Sequence, residues 1–357
     1  MSNSNRNLHP GKQALGRKNA KAIIVVTLAL LVCSLALFFF SAPPRKDNRQ
    51  TQLVKIRPGI SPRQVGSELQ SAGVIRSAFF FNLYIKISGI DREIKAGNYR
   101  FPVGATMVKV ASMLRDGDTA KAKVVIPEGF LARQIGQELE KAGVCSQTSF
   151  LTATRDKDLI HELGLNVGNL EGFLFPDTYY FDIESEPGDV VRKMVANFVK
   201  TISGIVGNTE NLGSAKNLGS KEFYDKLILA SIVEREYRVP SEAKLIASVF
   251  NNRLKIGMAL QSCATVVYVI TEKLGKPHPE LVTHKDLTIP DAYNTYLHPG
   301  LPPGPICNPG KVALDAVFNP IKSQYLYFRL LSNETGQHRF SRTFDEHVQA
   351  VIPVKGY

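Results

Sequence analysis

The chain has 357 residues, of which 44% are hydrophobic and 21% are charged, so it is long enough for two or three domains with their own cores. This composition excludes a disordered or fibrous protein. The formal net charge is +12, and the first 41 residues, with five basic and no acidic side chains, contribute +5. The remaining excess forms no stripe of basic residues interleaved with aromatic ones, so nucleic acid is not an expected partner. The excess of positive charge is compatible with an anionic lipid or an acidic wall polymer as a partner.

Residues 22–41 (AIIVVTLALLVCSLALFFFS) carry no charge. A helix of that length spans about 30 Å, the thickness of the hydrocarbon core of a membrane. The apolar part of a cleaved signal peptide is shorter, so the pattern predicts an uncleaved anchor, although Ser41-Ala42 resembles a cleavage site. More basic residues precede the span than follow it, which predicts a cytoplasmic N-terminus and places the rest of the chain on the outer side.

An internal repeat follows the span at a constant offset. Residues 54–80 (VKIRPGISPRQVGSELQSAGVIRSAFF) match residues 124–150 (VVIPEGFLARQIGQELEKAGVCSQTSF). Each copy predicts a β-strand, a glycine turn and an amphipathic helix, and Gly73 is a natural end for the first of these helices. The copies are expected to pack on each other or on neighbouring strands. They are interpreted as a duplicated structural scaffold or as a pair of modules that grip a glycan.

The rest of the chain predicts two helices among loops. Residues 94–109 have the character of a hairpin, and the Gly, Ser and Asn content of residues 201–220 predicts a surface loop. From Ser220 the apolar spacing is helical as far as Pro240, and the run LILASIV (227–233) predicts a helix that is buried on most faces. Ser241 is then predicted to cap a second helix that ends near Gly257.

Several kinds of site are excluded by their motifs. The sequence contains no CxxC, HExxH or GxSxG, and its seven histidines have no metal-ligand spacing. Glu234 directly follows the apolar run, where burial would raise the pKa of its carboxyl group toward that of a general acid. The alternative is a structural glutamate paired with a nearby arginine. Glu236 lies about 200° further around the helix and is expected to face solvent.

Two further segments combine aromatic and amide side chains with turns, namely LEGFLFPDTYY (170–180) and YNTYLHPGLPPGPI (293–306). Such side chains can line a sugar-binding groove, and the same residues are also compatible with rigid loops.

These segments resemble the YceG-like endolytic murein transglycosylases. The matching stretches, in the order of the family, are LEGFLFPDTYY (170–180), LASIVEREY (229–237), VFNNRLKIGMALQS (249–262), TVVY (265–268), AYNTY (292–296), GLPPGPI (300–306) and NPG (308–310). VIPEG (125–129) and the apolar span are weaker matches.

The resemblance implies an α+β protein of the cytoplasmic (inner) membrane with a single N-terminal transmembrane helix. A small duplicated strand-helix (LysM-like) module and a mainly helical catalytic domain with a lysozyme-like groove would follow on the outer side. The corresponding domain map is a cytoplasmic tail (1–21), an anchor (22–41), a linker (42–50), the LysM-like module (51–160) and the catalytic domain (161–357) with its loop at 201–220.

The resemblance also implies an activity. Members of the family cleave the bond between N-acetylmuramic acid and N-acetylglucosamine inside nascent peptidoglycan strands, leave 1,6-anhydro ends and terminate elongation. The catalytic glutamate of the family corresponds to Glu234, and its sugar-binding positions correspond to Gln261, Tyr268, Asn294 and Tyr296. No cofactor or metal is implied, and the implied partners are glycan strands, the membrane and, by analogy, wall synthases and division proteins. Two alternatives stay open: a membrane-tethered peptidoglycan-binding or division scaffold protein without activity, and a hydrolase that uses water.

The sequence departs from the common family pattern at three places: Tyr237 replaces a frequent Thr, Cys263-Ala264 replaces Asp-Pro, and Cys307 replaces a frequent Ala. Ordinary glycosidases use two carboxylates. A lytic transglycosylase can work with one, because its substrate supplies the nucleophile, so the reaction class is retained. Both cysteines lie in segments expected to line one groove, and a disulfide between them is one hypothesis, with two unpaired buried thiols as the other.

Overall fold

The chain folds into two units that divide between Lys121 and Ala122. A computed structural model describes residues 22–28, 30, 31, 34, 50–206, 218–331 and 334–349. The fold in these ranges is mixed α+β, with mostly helices and three two-stranded sheets. The first copy of the repeat belongs to the first unit, and the second copy belongs to the second unit, so each packs in the core of its own unit.

The first unit is built on an antiparallel pair of strands in which Thr51 lies opposite Pro102 and Ile56 opposite Gly97. Its elements are β1 (Thr51–Ile56), α1 (Pro62–Ser71), α2 (Ala78–Ile87), β2 (Gly97–Pro102) and α3 (Met107–Asp116). Alternate residues of the strands face inward, and the core contains the stacked rings of Tyr99 and Phe101.

The turn of the first copy is set by its local sequence. Gly59 adopts a φ of +77°, which favours glycine. Ser61 then caps α1: its hydroxyl accepts from the backbone N–H of Gln64, and the Gln64 side chain accepts from the backbone N–H of Ser61. The second copy repeats the pattern with a φ of +75° at Gly129, so the strand, turn and helix predicted for each copy are confirmed.

The second unit is mainly helical. Its elements are β3 (Lys121–Val125), α4 (Ala132–Lys141), α5 (Gln147–Ala153), α6 (Lys157–Glu162), β4 (Thr178–Asp182), α7 (Pro187–Val206), α8 (Lys221–Glu236), α9 (Ala243–Lys255), α10 (Cys263–Tyr268), α11 (Lys311–Phe318), β5 (Tyr327–Leu330), β6 (His338–Ser341) and α12 (Phe344–Gln349). Strand β3 pairs with β4, and β5 pairs with β6. Helix α8 lies in the core, because every residue from Leu227 to Val233 is buried, as the apolar run predicts.

Three local predictions need correction. Residues 94–109 form no hairpin, because β2 pairs with β1 and α3 begins at Met107. Ser241 lies within a short 3₁₀ turn, and Glu242 is the residue before α9. Residues 201–206 continue α7, whereas 207–217 of the predicted loop lie outside the described residues.

The anchor predicted at residues 22–41 lies only partly within the described ranges. Among the residues that are described, no helix has both the length and the apolar character needed to cross a membrane. The predicted tail at 1–21 and most of the linker at 42–50 lie outside those ranges.

Candidate active site

Glu234 lies in the last turn of α8, directly after the buried run. Ser220 begins the helix, and its hydroxyl accepts from the backbone N–H of Phe223. The side chain of Glu234 is half-buried, so the helix presents one carboxyl group at the margin of the core.

Two loops approach the Glu234 carboxyl group. The backbone N–H of Gly310 donates to its Oε2 at 2.9 Å, and the Tyr237 hydroxyl lies 3.5 Å from its Oε1. On the other side the backbone comes close at Gly129, where an added Cβ would lie 3.6 Å from Cγ of Glu234. The carboxyl group is therefore held in place by its surroundings before any ligand arrives.

A second carboxylate lies next to this arrangement. A Cβ at Gly310 would come within 1.9 Å of Oε1 of Glu128, so the Glu128 side chain lies directly against the Gly310 backbone. Burial and, to a smaller extent, the negative charge of Glu128 raise the pKa of Glu234 to about 7, although the Gly310 N–H, Tyr237 and Arg235 oppose the shift. Near neutral pH a large fraction of Glu234 is thus protonated and can act as an acid.

The loops around Glu234 are joined by the buried side chain of Asn308, which is 0% exposed. Its Oδ1 accepts from the N–H groups of Gly172 and Leu174, at 2.8 and 3.0 Å. Its Nδ2 donates to the carbonyl of Phe130 at 2.9 Å and to the carboxyl group of Glu171 at 2.6 Å. One amide thus connects the segments around residues 130, 172 and 308, and the last of these continues to Gly310.

Glu171 completes this buried network. The backbone N–H of Ala132 donates to both of its carboxyl oxygens, at 3.0 and 3.1 Å. Burial raises the pKa of Glu171 to about 8, although these hydrogen bonds oppose the shift. Glu171 therefore fixes the start of α4 and lies in the same network as the loop that contacts Glu234.

Two of the residues predicted to bind sugar line one pocket. Gln261 and Tyr296 lie in a cavity of about 440 Å³ together with Arg235 and Glu236, the two residues that follow Glu234. Gln261 is exposed and has a φ of +51°, a strained conformation for a residue other than glycine. Its backbone N–H is held by the carbonyl of Thr295 at 3.1 Å, so the fold maintains this outward position.

Tyr268 lies in a different pocket, of about 210 Å³, which is also lined by Gly129, Arg235 and Ile306. Tyr268 offers its ring to this pocket, and the ring of Tyr293 packs against it with the centroids 4.8 Å apart. Arg235 therefore lies between the two pockets, and each of them is next to the end of α8.

Asn294, the fourth predicted sugar-binding residue, is placed differently. It is 0% exposed, its Nδ2 donates to the carbonyls of Leu287 and Ile289, and its Oδ1 accepts from the N–H of Tyr296. Its amide is thus fully used within the protein, and the structure gives it the role of positioning the Tyr296 loop.

Glu236 does not face solvent, contrary to the expectation from its helical spacing. It points away from Glu234, but the Ser262 hydroxyl donates to its carboxyl group, and burial raises its pKa. The β5–β6 hairpin, which lines the same pocket as Glu236, is remote from it in sequence.

The hypothesis of a disulfide between Cys263 and Cys307 is wrong, because both are free. Cys307 is buried and its Sγ donates to the carbonyl of Ser231 on α8. Cys263 is exposed, and its Sγ lies 3.1 Å from the Tyr296 hydroxyl. The two thiols are therefore engaged by different elements.

Comparison with known protein families shows to which family the chain belongs. The model of the YceG-like family matches residues 54–352, which is most of the chain. The chain belongs to the YceG-like family.

Named relatives of this YceG-like protein support the family assignment. An endolytic murein transglycosylase of Bacillus subtilis is 32% identical over 323 residues, which cover 86% of this chain and 86% of the relative. An endolytic murein transglycosylase of Streptococcus pneumoniae is 28% identical over 87% of this chain and 61% of its own length. The crystal structure of a putative YceG-like protein from Listeria monocytogenes superimposes with a TM-score of 0.54 at 29% identity, over 84% of this chain and 99% of that one.

Four residues of the YceG-like site were not singled out from the sequence: Glu128, Glu171, Asn308 and Gly310. All four lie inside motifs that carry the resemblance, namely VIPEG, LEGFLFPDTYY and NPG. These motifs were the available signal, but a loop motif does not reveal which side chain it contacts across the fold.

Proposed function

We propose that this YceG-like protein is an endolytic peptidoglycan lytic transglycosylase in which Glu234 is the catalytic acid and base. The observation that carries the proposal is a single carboxyl group, positioned by the Gly310 N–H, whose pKa burial raises to about 7. The related proteins named endolytic murein transglycosylases support the substrate class.

In the proposed reaction Glu234 donates its proton to the glycosidic oxygen between N-acetylmuramic acid and N-acetylglucosamine as the bond to C1 of the muramic acid breaks. The carboxylate then removes the proton from the C6 hydroxyl of the same sugar, and that oxygen bonds to C1. The product carries a 1,6-anhydro end, the enzyme regains its proton, and no water is consumed. A carboxyl group with a pKa near 7 suits both steps, because it must act in turn as acid and as base.

The two pockets beside α8 supply the proposed substrate groove. Gln261 and Tyr296 would contact sugar in one of them, and Tyr268 would contact sugar in the other. The test is mass spectrometry of peptidoglycan fragments released by the purified outer part of the chain. Fragments with anhydro ends are expected. Fragments with reducing ends, which are heavier by one water, would show that the enzyme is a hydrolase and would contradict the proposal.

The pH dependence of the reaction follows from the pKa of Glu234. Since the acid must carry a proton for the first step, the rate is expected to fall by about tenfold per pH unit above pH 7. Because the charge of Glu128 raises this pKa, Glu128→Gln is expected to move the basic limb of the pH profile to lower pH. Initial rates between pH 5 and about 9 measure both effects.

Glu138→Gln is the matched control for that experiment, since Glu138 forms a surface salt bridge with Lys141 and has no part in the shift of Glu234. An unmoved profile in Glu128→Gln, or an equal displacement in Glu138→Gln, would contradict the role given to Glu128.

We also propose the membrane setting that the sequence indicates. Residues 22–41 would form a single-pass anchor in the cytoplasmic membrane, with the N-terminus inside, and residues 51–160 would act as a LysM-like module. The enzyme would then meet nascent strands at the outer surface, terminate their elongation and act beside wall synthases and division proteins. N-terminal sequencing of the mature protein is expected to show residues 22–41 retained, and a chain that begins near Ala42 would contradict the anchor.

A further inference from the structure

The cavity that contains Gln261 and Tyr296 is lined by several basic side chains. We name it the arginine pocket, defined by four arginines and two histidines: Arg235, Arg238, Arg253, Arg329, His338 and His347. Among the described residues that line it, Glu236 is the sole carboxylate. The pocket thus carries a net positive charge, which favours an anionic ligand.

The charge of the pocket is compensated only in part by nearby carboxylates, such as Glu242, which pairs with His338. Arg253 is 7% exposed, and its guanidinium donates to the carbonyls of Leu260 and Leu326 at 2.8 and 2.7 Å, so it meets no carboxylate. Arg235 and Arg329 form no salt bridge with any residue that the structure describes. Glu236 is engaged by the Ser262 hydroxyl.

A like-charge pair stands at the edge of the pocket. Arg329 on β5 lies directly opposite Arg339 on β6. Like charges facing each other across a strand pair destabilise the pair, and a bound anion would remove that repulsion. Only Arg329 of the two lines the pocket.

His347 forms part of the wall of the pocket. Its Nδ1 is buried and has no hydrogen-bond partner, and its ring stacks on Tyr327 at the wall of the pocket.

The position of the pocket identifies the ligand. Arg235 and Glu236 follow Glu234 directly, and Gln261 and Tyr296 of the proposed sugar groove line the same cavity. An anion bound there would therefore belong to the glycan strand near the bond that is cut. Unmodified strands carry their anionic groups on the short peptides attached to muramic acid, and arginine binds carboxylates with paired hydrogen bonds.

We infer that the arginine pocket binds a carboxylate of the peptide on a muramic acid near the scissile bond, so that the enzyme selects peptide-bearing strands. This inference rests on the proposed function, which names the glycan as substrate. The pocket would contribute to binding of the substrate, and Glu234 would carry out the chemistry on denuded and peptide-bearing strands alike.

The test compares three uncrosslinked substrates: peptide-bearing strands, the same strands stripped of peptides by an amidase, and strands whose peptide carboxylates are amidated. We expect kcat/KM of the full-length protein to be about tenfold higher on the first substrate than on the other two, as a single charge-assisted contact would give. Arg329→Gln is expected to remove this preference, mainly through a higher KM on peptide-bearing strands, and to affect the rate on stripped strands much less.

Arg339→Gln is the matched control, because it removes the other charge of the same strand pair without changing the lining of the pocket. It is expected to keep the preference within about twofold. Equal rates of the wild type on all three substrates would overturn the inference and leave the proposed function standing. So would an equal loss in Arg329→Gln on peptide-bearing and stripped strands.

A binding measurement separates the two proposals. The affinity of a labelled peptide-bearing glycan fragment is measured for the full-length protein carrying Glu234→Gln, with and without Arg329→Gln. A loss of about tenfold with Arg329→Gln supports the pocket even if no fragments are ever released. Equal affinities, or competition by inorganic phosphate but not by free stem peptide, would contradict it.

Discussion

Glu234→Gln is expected to lower the release of anhydro-ended glycan fragments by about a thousandfold, within the range of general acid–base catalysis. The glutamine side chain nearly matches the shape of the carboxyl group and can still accept from the Gly310 N–H, which donates to Oε2 of Glu234 at 2.9 Å. It cannot donate a proton to the leaving oxygen or remove one from the C6 hydroxyl. Fragment release is measured by mass spectrometry, and thermal unfolding verifies that the fold is retained.

Glu222→Gln serves as the control for this variant. Glu222 lies in the first turn of the same helix, where it is exposed and forms a salt bridge with Lys226, so its loss is expected to leave the rate unchanged. A fully active Glu234→Gln protein would favour the non-catalytic binding or scaffold alternative, because a groove that only binds does not need the carboxyl group.

The local part of the fold was predictable from the sequence because local signals set it. The strand, turn and helix of each repeat copy follow from the turn glycines and from the apolar spacing, and the first copy has the Ser61 cap as well. The buried helix of Glu234 follows in the same way from the run at 227–233. The strand pairing of residues 94–109 was not predictable, because β2 pairs with β1 about 40 residues earlier, and register over such distances leaves little local trace.

In the candidate site, too, local features were predictable and contacts between residues remote in sequence were not. The helical spacing placed Glu236 correctly on another face from Glu234, but whether that face meets solvent depends on the Ser262 loop and the β5–β6 hairpin. Asn294 shows the limit of a motif, since its position in the sequence fits a sugar ligand but its amide is used by the backbone around it. The disulfide hypothesis is wrong for a similar reason: even if two loops lie close together, their side chains need not point toward each other.

Asn308→Ala is expected to lower the free energy of unfolding by about 3–5 kcal/mol, the largest effect on stability that we predict. The amide of Asn308 makes four hydrogen bonds in a fully buried position, to Gly172, Leu174, Phe130 and Glu171. Its removal leaves the N–H groups of Gly172 and Leu174 without this acceptor, and each buried unsatisfied group costs about 1–3 kcal/mol before relaxation and water entry. The Phe130 carbonyl and the Glu171 carboxyl group each lose one hydrogen bond but keep the backbone N–H groups of Asn308 and Ala132. Urea unfolding of the wild type and of Asn308→Ala measures the change.

Asn319→Ala is the control, since Asn319 is exposed and its amide contacts Asp315 and the carbonyl of Ile205 at the end of a helix, so a loss of about 1 kcal/mol or less is expected. Asn308→Ala is also expected to lower fragment release below the extent explained by unfolding. Asn308 anchors the loop that carries Gly310, and the Gly310 N–H positions the proton donor. A variant as stable and as active as the wild type would show that the network around Asn308 does not hold the Glu234 carboxyl group in place.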